Sequence, residues 1–224
     1  MLTVHHLNNS RSQRVLWLLE ELGVPYEIKR YQRDPKTLFA PSALKKVHPL
    51  GKSPVITDDD LTIAESGAII EYLVERYGKG RLAPPAAAPA RRPYTYWLHY
   101  AEGSLMPLLV MKLIFARLKT VPVPFFVKPV IKAVVRNVNR GYLDPQVQQH
   151  LAFLEGELTK SAWFAGEEFS AADIQMSFPV EAAATRAGLG IDHPRLNAWL
   201  ERIKARPAYQ RALEKGGPFE LLAG

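Results

Sequence analysis

With 224 residues, 47% of them hydrophobic and 23% charged, the chain has room for one large domain or two small ones with a sizeable core. It contains no cysteine, which excludes disulfide scaffolds, cysteine nucleophiles and thiolate metal sites, so any sulfur chemistry must use a ligand's thiol. The formal net charge of +7 permits an anionic partner, yet Lys and Arg are scattered without a long like-charge block or a nucleic-acid motif, and no nucleic-acid partner is expected. No apolar run is long enough to span a bilayer, and residues 1–6 do not read as a secretory signal. The expectation is a cytoplasmic protein with no stable membrane insertion and no metal.

Residues 3–7 can form a buried strand. Over 11–22, Val15, Leu16, Leu18, Leu19 and Leu22 keep the spacing of one helical face, and Gly23 and Pro25 stop the helix. A second short strand follows at 26–31, and such a crossover pairs its strands in parallel. Residues 36–47 read as a short helix or an irregular connection. Two short apolar strands, 54–57 and 61–63, flank Asp58-Asp59-Asp60 as a hairpin. The next helix carries Ile69, Leu73 and Tyr77 on one face and stops at Gly78. The order β-α-β, connection, β-β-α is that of a thioredoxin-like α/β domain over residues 1–78.

Four prolines within 79–93 mark that segment as a linker. Beyond it, residues 94–224 read as an all-helical domain. Residues 94–120 form one long helical pattern bent at Pro107. Asp144-Pro145 opens a helix with Val147, Leu151, Leu154 and Leu158 inward. Ser170 with Asp173 resembles a capping box, although Asp stands where Glu or Gln is usual. A further helix carries Leu196, Trp199, Leu200 and Ile203 and ends at Pro207. Segment 121–135 is unusually apolar with interspersed lysines, and a buried connection between helices is preferred over a cover for the site or contact with a membrane surface.

Ser10 ahead of the first helix, the run His48-Pro49-Leu50-Gly51-Lys52-Ser53-Pro54-Val55, Glu65-Ser66 at the next helix start and Phe169-Ser170-Ala171-Ala172-Asp173-Ile174 come in a specific order. The set resembles the cytosolic glutathione transferase family, in particular its bacterial and fungal, serine-type-like branch. The resemblance implies the glutathione transferase fold, glutathione as co-substrate, and a two-fold homodimer. It also implies a cis Pro54 that shapes the site, with Val55 pairing its backbone to the cysteinyl part of glutathione. Ser66 and Glu65 would hold the γ-glutamyl end, where a helix N-terminus receives a carboxylate, and Lys52 would face the glycyl carboxylate.

Ser10 is the candidate catalytic residue. A thiol has a pKa of about 8.5, and a hydroxyl donating to the sulfur favours the thiolate. Ser10-Arg11-Ser12-Gln13 is itself a capping-box pattern, and Asn9, Ser12 or a backbone N–H are rival donors. Tyr96, Trp97, Tyr100 and Met106 are candidate walls for the second substrate, a hydrophobic electrophile or a peroxide. Conjugation and glutathione-dependent peroxide reduction, as in detoxification, both fit. A non-catalytic carrier of glutathione or apolar ligands, or an assembly module with the same fold, is the alternative.

Overall fold

The structure is a computed structural model, and it describes residues 1–35 and 37–221. The first part holds β1 (Thr3–Leu7), α1 (Ser12–Leu22), β2 (Glu27–Tyr31), a short 3-10 turn (Ser42–Lys46), β3 (Val55–Asp58), β4 (Leu61–Ala64) and α2 (Ser66–Tyr77). The four strands order as β2-β1-β3-β4, with β1 and β2 parallel and the other neighbours antiparallel. The short β1–α1–β2 crossover forces the parallel pair and the two-residue Asp59-Asp60 turn the antiparallel one. Gly78 ends α2 with an ordinary backbone: a Cβ there would lie 2.3 Å from the Val74 carbonyl oxygen, so close approach, not a left-handed turn, requires glycine.

The second part is helical: α3 (Arg91–Tyr100), α4 (Met106–Leu118), α5 (Lys128–Val138), α6 (Asp144–Lys160), α7 (Ala171–Arg186), α8 (Pro194–Lys204) and α9 (Pro207–Gly216). Helix α3 begins at Arg91, so the proline-rich segment is used up three residues sooner than the linker pattern suggests, and Pro93 sits in the first turn, where no N–H is needed. The pattern expected as one helix over 94–120 is interrupted by a π turn (Ala101–Leu105) just before Pro107. Pro107 offers no N–H, and widening the turn ahead of it relieves its clash with the preceding carbonyls. The same arrangement recurs at Asn139–Leu143 ahead of Pro145.

One core joins both parts. Val15, Leu16 and Leu19 of α1 lie in the same buried cluster as Ile69 and Leu73 of α2 and Ile174 of α7. Helix α9 packs along α1, where Glu20 meets Arg211 (2.9 Å) and Lys215 (2.6 Å), and Glu21 meets Arg206 (2.6 Å). Within α7, Ser170 and Asp173 form a full capping box. Segment 121–135 differs from its expected burial: Val135 is buried, but Phe125, Phe126, Val130 and Val134 face solvent.

Candidate active site

The turn between β1 and α1 sets the site. Asn9 takes a positive φ of 50°, a conformation Asn tolerates, and this turns the chain so that Ser10 faces a cavity of about 700 Å³. The capping box suggested by Ser10-Arg11-Ser12-Gln13 does not form. Ser10 Oγ accepts from the Ser12 N–H (3.2 Å), and the Gln13 N–H donates to the Ser10 carbonyl (3.2 Å). The Gln13 side chain is buried instead toward Gly216 of α9.

Three hydroxyls meet here. Ser10 Oγ lies 2.8 Å from Ser12 Oγ and 3.4 Å from Ser53 Oγ. Ser53 donates to the His5 carbonyl (3.1 Å). Ser12 Oγ is 2.8 Å from His6 Nδ1. Burial, and then the neighbouring Arg30, push the His6 imidazole down to about 4, so the ring is neutral near pH 7. With its one N–H on Nε2 and directed to the Gly216 backbone, the neutral ring accepts from the Ser12 hydroxyl at Nδ1. In that tautomer Ser12, like Ser53, donates elsewhere, and the short Ser10–Ser12 contact takes the Ser10 proton. Ser10 is the hydroxyl of the three whose hydrogen an incoming thiolate can draw away, because a charged acceptor outcompetes a neutral one. Ser12 is fully buried and does not line the cavity, whereas Ser10 and Asn9 do.

The Ser53–Pro54 peptide is cis. Val55 follows at the start of β3, paired with Ala64 of β4, and the β1–β3 ladder stops at Val4–Ile56, one residue short of it. Lys52 is exposed in the loop before. At the start of α2, Glu65 is exposed and has φ 70°, ψ 124°, an unfavourable conformation for a non-glycine residue. Ser66 beside it is buried and accepts from Arg14 Nη2 (2.9 Å) and Gln175 Nε2 (3.4 Å). Its own hydroxyl hydrogen remains for an acceptor. The free N–H groups of the α2 N-terminus point the same way.

Arg14 was not singled out by residue type, yet it ties these parts together. Its buried guanidinium donates to Ser66, to the Gln175 carbonyl (2.6 Å) and to Glu102 of the π turn. Arg11 also meets Glu102 (3.0 Å). Burial opposes ionisation of Glu102, but Arg14 and then Arg11 hold it below the ordinary carboxylate range. The available sequence signal for Arg14 was its offset four residues beyond Ser10, in the first turn of α1, the offset at which serine-type members of the resembled family carry an arginine.

Of the four proposed wall residues, Met106 lines the cavity. Tyr96, Trp97 and Tyr100 lie elsewhere. Trp97 is buried against Phe164 (ring centroids 4.8 Å apart) and Phe153, Tyr100 contacts His150, and Tyr96 is exposed on top of this aromatic cluster. The walls come instead from α4 (Val110, Leu113), Phe178 of α7 and Leu38–Phe39 of the loop after β2. Arg11, Arg33, Arg117 and Arg186 also line it, and among the described residues no Asp or Glu does. Burial, and then Arg11, lower the pKa of both Arg33 and Arg186, as expected of guanidinium groups sharing one cavity. No cluster of metal-ligating side chains occurs among the described residues.

A thioredoxin-like sheet with a cis proline at its β3 entry is joined to a helical domain that walls a cavity beside it, the two-part architecture expected of the glutathione transferase fold. Residues 1–75 match the family description "Glutathione S-transferase, N-terminal domain", and 136–207 match "Glutathione S-transferase, C-terminal domain". The chain is 38% identical over 215 residues to glutathione S-transferase 3 of Schizosaccharomyces pombe, covering 96% of this chain and 88% of that protein. It is 34% identical to glutathione S-transferase 1 of Saccharomyces cerevisiae, covering 96% and 95%. Among solved structures, a glutathione S-transferase from Actinobacillus pleuropneumoniae superposes with a TM-score of 0.78 at 34% identity, covering 96% and 93%. The chain therefore belongs to the glutathione S-transferase family, and it is a glutathione transferase enzyme.

Proposed function

We propose that the enzyme stabilises the thiolate of glutathione with the Ser10 hydroxyl and directs it at an apolar electrophile that carries a negative charge. The observation that carries this reading is the composition of the cavity at Ser10: apolar walls with four guanidinium groups and, among the described residues, no carboxylate. Glutathione itself is anchored along the edge from Lys52 to Ser66. Lys52 takes the glycyl carboxylate, Val55 the cysteinyl backbone, and Glu65 with Ser66 the γ-glutamyl end. That brings the sulfur to Ser10, and the electrophile lies beyond it against α4, with Arg117 as the cation for its charge.

In conjugate addition the sulfur bonds to the electrophilic carbon, the displaced electron pair passes to the conjugated carbonyl, and water supplies the proton. An organic hydroperoxide fits the same geometry. The thiolate takes one peroxide oxygen to give glutathione sulfenic acid and an alcohol, and a second glutathione then yields the disulfide and water. No protein cysteine is needed, and the chain has none. We further propose a cytoplasmic homodimer. Light scattering at micromolar concentration tests the dimer.

The test of the substrate class uses ethacrynic acid, an aryl vinyl ketone with a free carboxylate, and its methyl ester, with background addition subtracted. The acid is expected to have the higher kcat/KM, and Arg117→Gln to abolish that preference while the ester rate persists. Equal rates for acid and ester would refute the charged-electrophile reading. Lack of glutathione binding at millimolar concentration would refute the assignment of the whole site.

A further inference from the structure

The whole excess of positive charge lies in one piece of the chain. Between positions 103 and 143 there is no Asp or Glu, and the seven Lys and Arg there equal the formal net charge of +7; the rest of the chain is balanced. This stretch is α4, the connection at 119–127, and α5 with the turn after it. Lys112 at its base pairs with Asp144 (2.6 Å). Lys119, Lys128, Lys132 and Arg136 are exposed and make no ion pair among the described residues.

The same piece exposes large apolar side chains. Phe125 and Phe126 at the tip are 82% and 67% exposed, with their rings edge to face at 5.7 Å, and Val130 on α5 is 62% exposed. Ile114, Leu118 and Val121 continue the apolar surface along α4 and its end. Helix α5 buries Val135 with Ile131 and Val138 partly buried beside it, so its inward face is already satisfied. Phe126, Val130 and Val134, one turn apart, form a second apolar row left in water.

We infer that the α4–α5 tip docks on an anionic phospholipid surface, with Phe125 and Phe126 entering the headgroup–acyl boundary and the flanking lysines meeting lipid phosphates. A protruding aromatic tip between Lys119 and Lys128 suits a soft, extended, negatively charged apolar phase. It does not suit a second copy of the chain, because a two-fold contact would press two cationic, acid-free segments together. No helix among the described residues is long and apolar enough to cross a membrane, so the attachment is peripheral. Helix α4 supplies both this outer face and, through Val110, Leu113 and Arg117, the wall of the active-site cavity. Docking therefore holds the cavity about one helix diameter, roughly 10 Å, from the lipid.

The experiment is co-sedimentation of the full chain with vesicles of phosphatidylcholine alone or with about one third phosphatidylglycerol. Binding is expected to the anionic vesicles at about 0.1 M salt, to be lost at about 1 M, and to be absent on neutral vesicles. Phe125→Ala with Phe126→Ala, and separately Lys128→Gln with Lys132→Gln, are each expected to weaken binding about tenfold. Turnover of 1-chloro-2,4-dinitrobenzene by these variants should match the parent, which also reports correct folding. Lys45→Gln with Lys46→Gln, at two exposed positions remote in sequence, should bind as the parent does. Failure to bind anionic vesicles overturns the inference, as does equal weakening by all three double variants, which would mean diffuse charge. Loss of oligomer mass by light scattering in the Phe125/Phe126 variant would assign the face to a second copy and overturn it too.

Discussion

Arg14 in α1 donates a hydrogen bond to Ser66 Oγ at the first residue of α2, 2.9 Å away and almost wholly out of water. Its other partners, the Gln175 carbonyl and Glu102, belong to the helical part, so one guanidinium fixes the α2 N-terminus relative to the helical domain. With Arg14 and Gln175 both donating to it, the Ser66 hydroxyl has its hydrogen turned outward. Arg14→Met removes that orientation and leaves Glu102 with Arg11 alone. Unfolding in urea should show a loss of about 2–4 kcal/mol, discounted from a fully buried pair because Glu102 is partly exposed. The KM for glutathione should rise about tenfold, with a smaller change in kcat. Ser66→Ala should reproduce the KM effect without the stability loss.

The hydroxyl chain from His6 through Ser12 to Ser10 gives a graded prediction. Ser10→Ala should raise the thiolate pKa of bound glutathione by about one unit, or roughly 1.4 kcal/mol of thiolate stabilisation, read from ultraviolet absorbance across pH. Ser12→Ala removes a competing acceptor for the Ser10 proton without removing the donor. Its effect on the thiolate pKa should be small or downward. If Ser12→Ala instead raises the pKa as much as Ser10→Ala does, Ser12 supplies the decisive proton.

Those two sets of contacts show where the sequence was legible. Strands, the hairpin and the faces of α1 and α2 follow from local periodicity, and the Ser170–Asp173 cap from a local pattern, because each is decided within a few residues. The identity of the cavity wall is decided by tertiary packing. In α3, Trp97 and Tyr100 have the spacing of a buried face, but that face meets α6 through Phe153 and His150 rather than the cavity. The Ser10–Gln13 cap was legible and did not form, since α9 takes Gln13 into its own contact with α1. The π turns before Pro107 and Pro145 were half legible: proline marks a disturbance but not its form. The four cavity arginines come from residues 11 to 186 and converge only in three dimensions.

Glu181 of α7 gives a prediction about pH. Burial pushes its carboxyl up to about 7, although Tyr209 donates to it. An unfolded glutamate titrates at about 4.3, so between these values the folded chain binds more protons than the unfolded one. Its contribution to stability is therefore full below about pH 4 and is lost as pH rises through about 7. Glu181→Gln keeps an acceptor for Tyr209 and removes the ionisation. The variant should be more stable than the parent at pH 8, with the difference shrinking toward pH 5, as measured by denaturant midpoint. An unchanged difference across that range would place the charge in water.

Asp173 is the position at which a single substitution should cost most. It is fully buried and accepts from the Phe164 N–H (3.0 Å), the Ser170 N–H (3.0 Å) and Trp199 Nε1 (3.1 Å). These donors come from the loop before α7, from its cap and from α8, so the carboxylate joins three chain segments as well as starting a helix. Asp173→Ala leaves all three donors buried without an acceptor, each costing about 1–3 kcal/mol, and opens a cavity in the core. A loss of roughly 4 kcal/mol or more is expected, enough to consume a large part of a domain's stability. Asp173→Asn presents one acceptor oxygen and should recover part of it. Because Asp173 does not line the cavity, folded enzyme carrying Asp173→Asn should retain the parent's KM for glutathione while unfolding at lower denaturant.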